Sequence, residues 1–383
     1  MTEPGNRIWL AIPLLVVATV SHAADPLEPT EKRLKAHVAE LASADYAGRR
    51  GEGARKAADY VAFHFKALKL EPLFDGRFDQ PIPDKRPGEI QGRNVGAFLR
   101  GSDPRLRDEW VIVGTHFDHL GIRRGMLFPG ADDNASGVAM MLETARAIAN
   151  APQRPKRSVM FIGFDLEEIG LFGSRYFAEH SPVPLDRVAL FVTADMIGGS
   201  LAGVCHGHVF VLGSEHAPEV RPWIDDSARG QRVKVGLLGS DLLLLNRSDY
   251  GPFRTRRIPY LFFTTGESEN YHKPSDTPES LDYAKVEAIS RLIHGVVRRA
   301  AFAEARPQWK AIADNPLNEA ITIREVMRCL LANREKLEIG AFQVSLMTNT
   351  VRTLDGIVSR GAITPEERTA VVRVAQIVLA TVL

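Results

Sequence analysis

The stretch "FPGADDNASGVAMM", residues 128–141, sets two adjacent carboxylates, Asp132 and Asp133, between a Gly-Ala turn and an apolar run with helical spacing. One Asp ahead of a helix has an ordinary use, because its oxygens accept bonds from the unpaired first-turn N–H groups. A second carboxylate is more than a cap requires. The flanking sequence decides the architecture: "VIVGTH" (111–116) stands upstream, and "SVMFIGFD" (158–165), "ALFVTAD" (189–195) and "IPYLFFTTG" (258–266) follow downstream. Each run is strand-length, rich in β-branched or aromatic residues, and too continuously apolar to leave one face in water. Helical patterns at 134–150 and 171–180 fall between the first three runs. That alternation predicts an α/β fold with a mixed, mostly parallel central sheet flanked by helices on both faces.

Further out, "EKRLKAHVAELA" (31–42), "GARKAADYVAFHFKALKL" (53–70) and "SLDYAKVEAISRLIHGVVRRAAFA" (280–303) carry apolar residues at three- and four-residue spacing and predict amphipathic helices. Residues 200–252 are less regular and are expected to add a strand or two and a long loop. A Pro-containing link, "RPQWKAIADNPLN" (306–318), separates the body from a wholly helical tail. The expected segments are a leader at 1–23, a main body at 24–307 and a C-terminal helical extension at 315–383. In the extension, Thr364, Pro365 and Glu367 supply an N-cap, a first-position Pro and a capping-box Glu, after Gly361 as the stop of the preceding helix. Three short helices are expected. The final "AVVRVAQIVLATVL" (370–383) is apolar on more than one face, which predicts packing on the chain's own body or on a second copy as a homodimer. Arg373 counts against a membrane span.

At 383 residues with 45% apolar side chains, the chain can bury one large core or two modest ones. Its 48 Lys and Arg nearly cancel its 47 Asp and Glu, with no long run of one sign, so it offers no electrostatic footprint for nucleic acid. The N-terminus has Arg7, an apolar run from Ile8 to Val20 and then Ser-His-Ala. This pattern predicts a secretory signal cut after Ala23, an exported protein (periplasmic or extracellular), and no stable membrane span once the signal is removed. Cys205 and Cys329 lie far apart in sequence and outside any C-x-x-C pattern, so no disulfide framework follows from them.

The polar residues gather at the strand ends. The first run leads into His116 and Asp118, the second into Glu167 and Glu168, the third ends in Asp195, and the fourth is followed by Tyr271 and His272. In open α/β sheets ligands bind outside the carboxyl ends of the strands, so these groups are expected to meet in one crevice, joined by Asp133 from a connection at the same edge. Several carboxylates crowded together repel and protonate unless a cation neutralises them. Two imidazoles among them suit a transition metal rather than calcium, and a donor set of nitrogen and oxygen without thiolate fits zinc best, with manganese or cobalt as substitutes. His116 and His272 with Asp133, Glu168 and Asp195 carry three negative charges, which one divalent ion underneutralises and two satisfy together with a hydroxide. Two ions about 3.5–4 Å apart share a ligand, for which a carboxylate is the natural bridge. Of the adjacent pair Glu167 and Glu168, one can bind metal while its neighbour takes a proton from water.

These residues stand in segments that resemble the M28 family of dizinc aminopeptidases: "GTHFDHLG" (114–121), "PGADDNASG" (129–137), "DLEEIGLFGS" (165–174), "TADMIG" (193–198) and "NYHKPSDTPE" (270–279), in the family's order. Weaker likeness in "ASADYAGRRGEG" (42–53) and "GRNVGAFLRG" (92–101) extends the resemblance from about Leu34 to Ala300. The resemblance implies two zinc ions, with His116 and Asp195 on one, Glu168 and His272 on the other, and Asp133 as the bridge. It further implies Glu167 as general base, Asp118 orienting His116 from behind, and Tyr271 beside the developing oxyanion. The implied substrates are peptides with a free N-terminus. Glutaminyl cyclases resemble the same fold but use one zinc for acyl transfer, and a binding module that keeps the pocket without catalysis is the third reading. No H-E-x-x-H helix or G-x-S-x-G elbow is present. Two features depart from the family pattern: Tyr250 in "SDYGPF" stands where relatives often carry His, and the tail after about Asn315 lies outside the family's core.

Overall fold

The computed structural model describes residues 27–243, 246–314 and 317–382. The expected leader at 1–23 lies outside them. Eleven strands are present among the described residues: β1 Glu71–Pro72, β2 Asp79–Pro83, β3 Ile90–Leu99, β4 Trp110–His116, β5 Gly121–Arg123, β6 Met126–Phe128, β7 Ser158–Phe164, β8 Val188–Ala194, β9 His208–Leu212, β10 Lys234–Leu238 and β11 Tyr260–Thr264. The helices are α1 Glu31–Leu41, α2 Glu52–Ala67, α3 Gly137–Ala149, α4 Phe172–Glu179, α5 Arg221–Ala228, α6 Gly251–Thr255, α7 Tyr283–Phe302, α8 Leu317–Ala332, α9 Ala341–Arg360 and α10 Pro365–Val382.

Nine strands form one mixed sheet in the order β1-β3-β7-β4-β8-β11-β9-β10, with β2 also paired to β3, while β5 and β6 make a separate hairpin. The four apolar runs are β4, β7, β8 and β11, and they form the parallel centre. Antiparallel pairing enters at β3 on one side and at β9 on the other. The irregular 200–252 region supplies β9 and β10 at one edge, with α5 between them.

Register explains why the central runs are apolar throughout. Val111 and Val113 of β4 pair with Val159 and Phe161 of β7 and with Leu190 and Val192 of β8, and all six face one core with α1, α2, α3 and α7. The alternate positions Ile112, Met160, Ile162 and Phe191 face a second core with α4 and α6. Successive strand side chains point to opposite faces, so a strand covered on both sides needs apolar residues at every position.

The second core also takes in the C-terminal helices. Ile323, Met327 and Leu330 of α8, Met347 and Leu354 of α9, and Val372, Ala375 and Val378 of α10 pack with Phe210, Leu212 and Leu242 of the body. The three helices run to 16, 20 and 18 residues, longer than the short helices expected, because each carries its apolar stripe along most of its length. The capping box is formed: Thr364 Oγ1 accepts from the Glu367 amide at 3.2 Å and Glu367 accepts from the Thr364 amide at 2.9 Å. Gly361 ends α9 at φ 74°, in the left-handed conformation that glycine adopts without strain. Arg368 fastens α10 through both oxygens of Asp241 at 2.7 and 2.8 Å and through Glu319 at 2.6 and 2.9 Å.

Candidate metal centre

His116 is the last residue of β4, Glu167 and Glu168 follow β7, Asp195 follows β8, and Tyr271 and His272 stand on the loop after β11. Chain turns hold these positions at a local cost: Leu166, Met196 and His272 all adopt left-handed backbone, at φ 62°, 57° and 54°.

The 128–141 stretch forms an irregular turn, Ala131–Ser136, that leads into α3. Gly130 enters it at φ 63°, where an added Cβ would meet the Asp133 carbonyl at 2.3 Å and the His119 ring at 2.5 Å. The expected capping use of an Asp is a correction, since Asn134 takes that part: its Oδ1 accepts from the Gly137 amide at 2.9 Å. Asp132 turns away and accepts from the amides of Gly198 and Gly199 at 2.7 and 2.9 Å, fixing the chain just beyond Asp195. Asp133 is left to face the imidazoles.

Two clusters meet at Asp133. Its Oδ1 lies 3.5 Å from His116 Nε2, and its Oδ2 lies 3.2 Å from His272 Nε2. On the first side, donor atoms of His116, Glu167 and Asp195 all fall within 4.8 Å of one another. On the second, His272 Nε2 is 3.1 Å from Glu168, and His119, Asp133 and Glu168 again fall within 4.8 Å of one another. His116, Asp133, Glu167, Glu168, Asp195 and His272 therefore meet in one crevice. Tyr271 stacks on His272 with ring centroids 3.9 Å apart.

The donor set fits a cation. His116 Nδ1 sits 3.3 Å from the Asp118 carbonyl, an acceptor only, so Nδ1 carries the proton and Nε2 presents a lone pair. That lone pair faces Asp195 Oδ1 at 3.4 Å, and both buried atoms lack a hydrogen-bond partner. Acceptors facing each other in the interior are what a metal ion satisfies. Without one, a proton takes the place: burial opposes a charge on His116, but Glu167 and Asp195 hold its pKa well above the ordinary value. Burial likewise works against His272, while hydrogen bonds with Asp133 and Glu168 push it up to about 10. For Glu167 burial is the larger cause of a strongly raised pKa; His116 opposes it, and the charges of Asp195 and Asp249 add to it.

Asp118 serves both sides of the centre. Its Oδ1 is 3.7 Å from His116 Nδ1, and its two oxygens accept from the Glu167 and Glu168 amides at 3.0 and 3.3 Å. Tyr250 does not reach the crevice. It is fully buried and stacks between Tyr260 and Phe262, so the departure at this position leaves an aromatic core rather than a pocket edge.

Three contributors escaped the sequence reading. His119, fully buried, directs Nδ1 to Glu168 Oε1 at 2.7 Å, and burial lowers its pKa to about 3, so it is a neutral donor that fixes Glu168. Its place three residues after His116 was the available signal. Asp276 accepts from the amides of Asp132 and Asp133 at 2.8 and 3.1 Å, which ties the His272 loop to the 131–136 turn. Arg49, fully buried, donates to the carbonyls of Phe117, Pro129, Gly130, Leu41 and Asp133 at 2.6–3.1 Å.

The family model for Peptidase family M28 matches residues 94–297. Among curated proteins, the chain is 29% identical over 205 residues to Aminopeptidase YwaD of Bacillus subtilis (strain 168), covering 52% of this chain and 42% of that protein. The chain spans about half the length of the curated relatives it matches first. Among solved structures, BSAP, a zinc aminopeptidase from Bacillus subtilis, superposes at a TM-score of 0.57 with 17% identity, covering 75% of this chain and 100% of the other. Porphyromonas gingivalis glutaminyl cyclase superposes equally well, at 0.57 with 16% identity over 70% of this chain and 97% of the other. These two likenesses carry the fold, and the fold alone does not choose between their chemistries.

Proposed function

The chain belongs to peptidase family M28, and from that premise we propose that it is an exported zinc aminopeptidase that uses two zinc ions to remove the first residue of peptides with a free N-terminus. The observation that carries the two-ion reading is the position of Asp133, whose two oxygens face two different imidazoles, each with its own acidic partner. His116 and Asp195 would hold one ion, Glu168 and His272 the other, and Asp133 both. Zinc held there would supply an acidified water and a polarised scissile carbonyl.

Glu167 is the general base. It lines the open cavity together with Asp133, Asp195, Tyr271 and His272, and its raised proton affinity suits a group that takes a proton from water and returns it to the leaving amine. Asp118 holds the Glu167 amide and so positions the base. Burial first, then the charges of Asp133 and Asp195, raise the pKa of Tyr271, which keeps its hydroxyl a donor for the carbonyl oxygen of the substrate. The free α-amino group of the peptide would lie against Asp195 or Glu168.

The test is metal content of the purified protein together with release from a panel of aminoacyl-anilides, for the intact chain and Glu167→Gln. Two zinc ions per chain and a loss of about a thousandfold or more in kcat for Glu167→Gln are expected. A single zinc with pyroglutamate formed from an N-terminal glutamine would replace this reading by a cyclase. Unchanged background release in wild type and variant alike would leave a binding module. No described helix is long and apolar enough to cross a membrane. Export rests on the leader pattern, and sequencing the mature N-terminus should give Ala24 as the first residue.

A further inference from the structure

The cavity over the metal centre, about 450 Å³, has Asp133, Glu167 and Asp195 on one side and Gln376, Leu379 and Ala380 of α10 on another. The C-terminal extension thus reaches the substrate space itself. Among the described residues lining the cavity, charge is confined to the centre and to Arg247 and Glu267, which pair with each other. Leu201, Leu242, Leu243 and Leu379 line both this cavity and a smaller chamber of about 110 Å³. The far walls of that chamber are Ile323, Met327 and Leu330 of α8 with Ala375 and Val378 of α10. Among the described residues around it, Thr264 is the single one with a side-chain N–H or O–H group. A void of this size lined by aliphatic groups stays dry and accepts a small hydrocarbon rather than water. The wall is fastened: Arg368 grips Asp241 and Glu319, and Gln376 Nε2 donates to the Asp241 carbonyl at 2.8 Å.

We propose that the C-terminal helices complete the pocket for the substrate's first side chain, and that the chamber between α8 and α10 selects a long aliphatic residue there. The inference rests on the aminopeptidase reading for what occupies the pocket. A leucyl side chain entering from the centre passes Leu201 and Leu379 and fills the chamber. An alanyl side chain stops short of it and gains nothing from it. Among the described side chains of the chamber only Thr264 offers a lysyl ammonium an acceptor, and burying it there without a counter-charge is unfavourable.

The experiment compares kcat/KM for leucyl-, alanyl-, phenylalanyl- and lysyl-anilides on the zinc-loaded full chain, on Ala375→Leu, which fills the chamber, and on Leu379→Ala, which widens its entrance. Thermal midpoints confirm folding of each variant. Wild type should prefer leucyl over alanyl by tenfold or more. Ala375→Leu should lose at least tenfold on the leucyl substrate and less than threefold on the alanyl one, and Leu379→Ala should shift preference toward a phenylalanyl substrate. A leucyl-to-alanyl ratio that stays within twofold of wild type in both folded variants would overturn the proposal. Calorimetric binding of leucinamide and alaninamide to Glu167→Gln separates this failure from failure of the catalytic reading. A leucinamide preference that disappears on adding Ala375→Leu supports the chamber even if no anilide is cleaved, and equal binding of the two amides overturns it even if cleavage is seen.

Discussion

Asp132 and Asp133 are neighbours in the chain and work on different partners. One holds the Gly198 and Gly199 amides behind Asp195, and the other faces two imidazoles. Sequence spacing could flag the pair as surplus to a cap, yet only the partners assign each carboxylate its part. Arg49 is a sharper case, an arginine in a charged segment with nothing local to mark it. It is fully buried and its guanidinium satisfies five carbonyls, three of them at Pro129, Gly130 and Asp133. Lysine brings one nitrogen where arginine brings a planar fork of five donors, so most of those carbonyls would lose their partner. Arg49→Lys is expected to destabilise the fold by about 3 kcal/mol and to weaken zinc retention, read by urea unfolding and by metal content after dialysis. An unfolding midpoint equal to wild type would show that water replaces the fork.

At the scale of elements, the N-terminal helix is locked to the helix after the centre through one acid. Glu143 of α3, 2% exposed, accepts from Arg33 of α1 at 2.6 Å and from Arg146 of α3 at 2.9 Å, with His37 of α1 at 3.9 Å. Burial alone would raise its pKa, but the nearby His37 and the hydrogen bonds from Arg146 and Arg33 outweigh it and lower the value from 4.5 to about 2. A carboxylate whose folded pKa is depressed adds stability that is present above its unfolded pKa and is lost as pH falls toward the folded one. Glu143→Gln is therefore expected to cost about 3 kcal/mol at pH 7. The gap between wild type and variant in urea midpoint should narrow between pH 4.5 and about 2. A gap that stays constant with pH would assign the loss to packing. The pattern of α1 was legible, because Leu34, Val38 and Leu41 recur on one face, whereas its ionic partner lies 110 positions away.

Over the whole molecule, α8, α9 and α10 form part of the layer on the second face of the sheet, and α10 also lines the cavity over the centre. Arg368 ties that layer to the body through Asp241, and removing it leaves Glu319, 2% exposed, without its guanidinium. Arg368→Gln should raise amide exchange in α10 by a factor of ten or more while the amides of α3 keep their protection. Equal loosening of both would mean that the extension unfolds only with the body. The amino-acid sequence determined what depends on near neighbours: the four central strands, the amphipathic helices, the Thr364–Glu367 box with the Gly361 stop, and the acids and imidazoles at the strand ends. Periodicity and capping act over a few residues, so they can be read along the chain. Tertiary structure alone decided that His119, Asp276 and Arg49 serve the centre, that Tyr250 is core, and that the extension walls the cavity. Those assignments depend on which surfaces meet after folding, and a helical apolar stripe specifies that it must be buried without specifying against what.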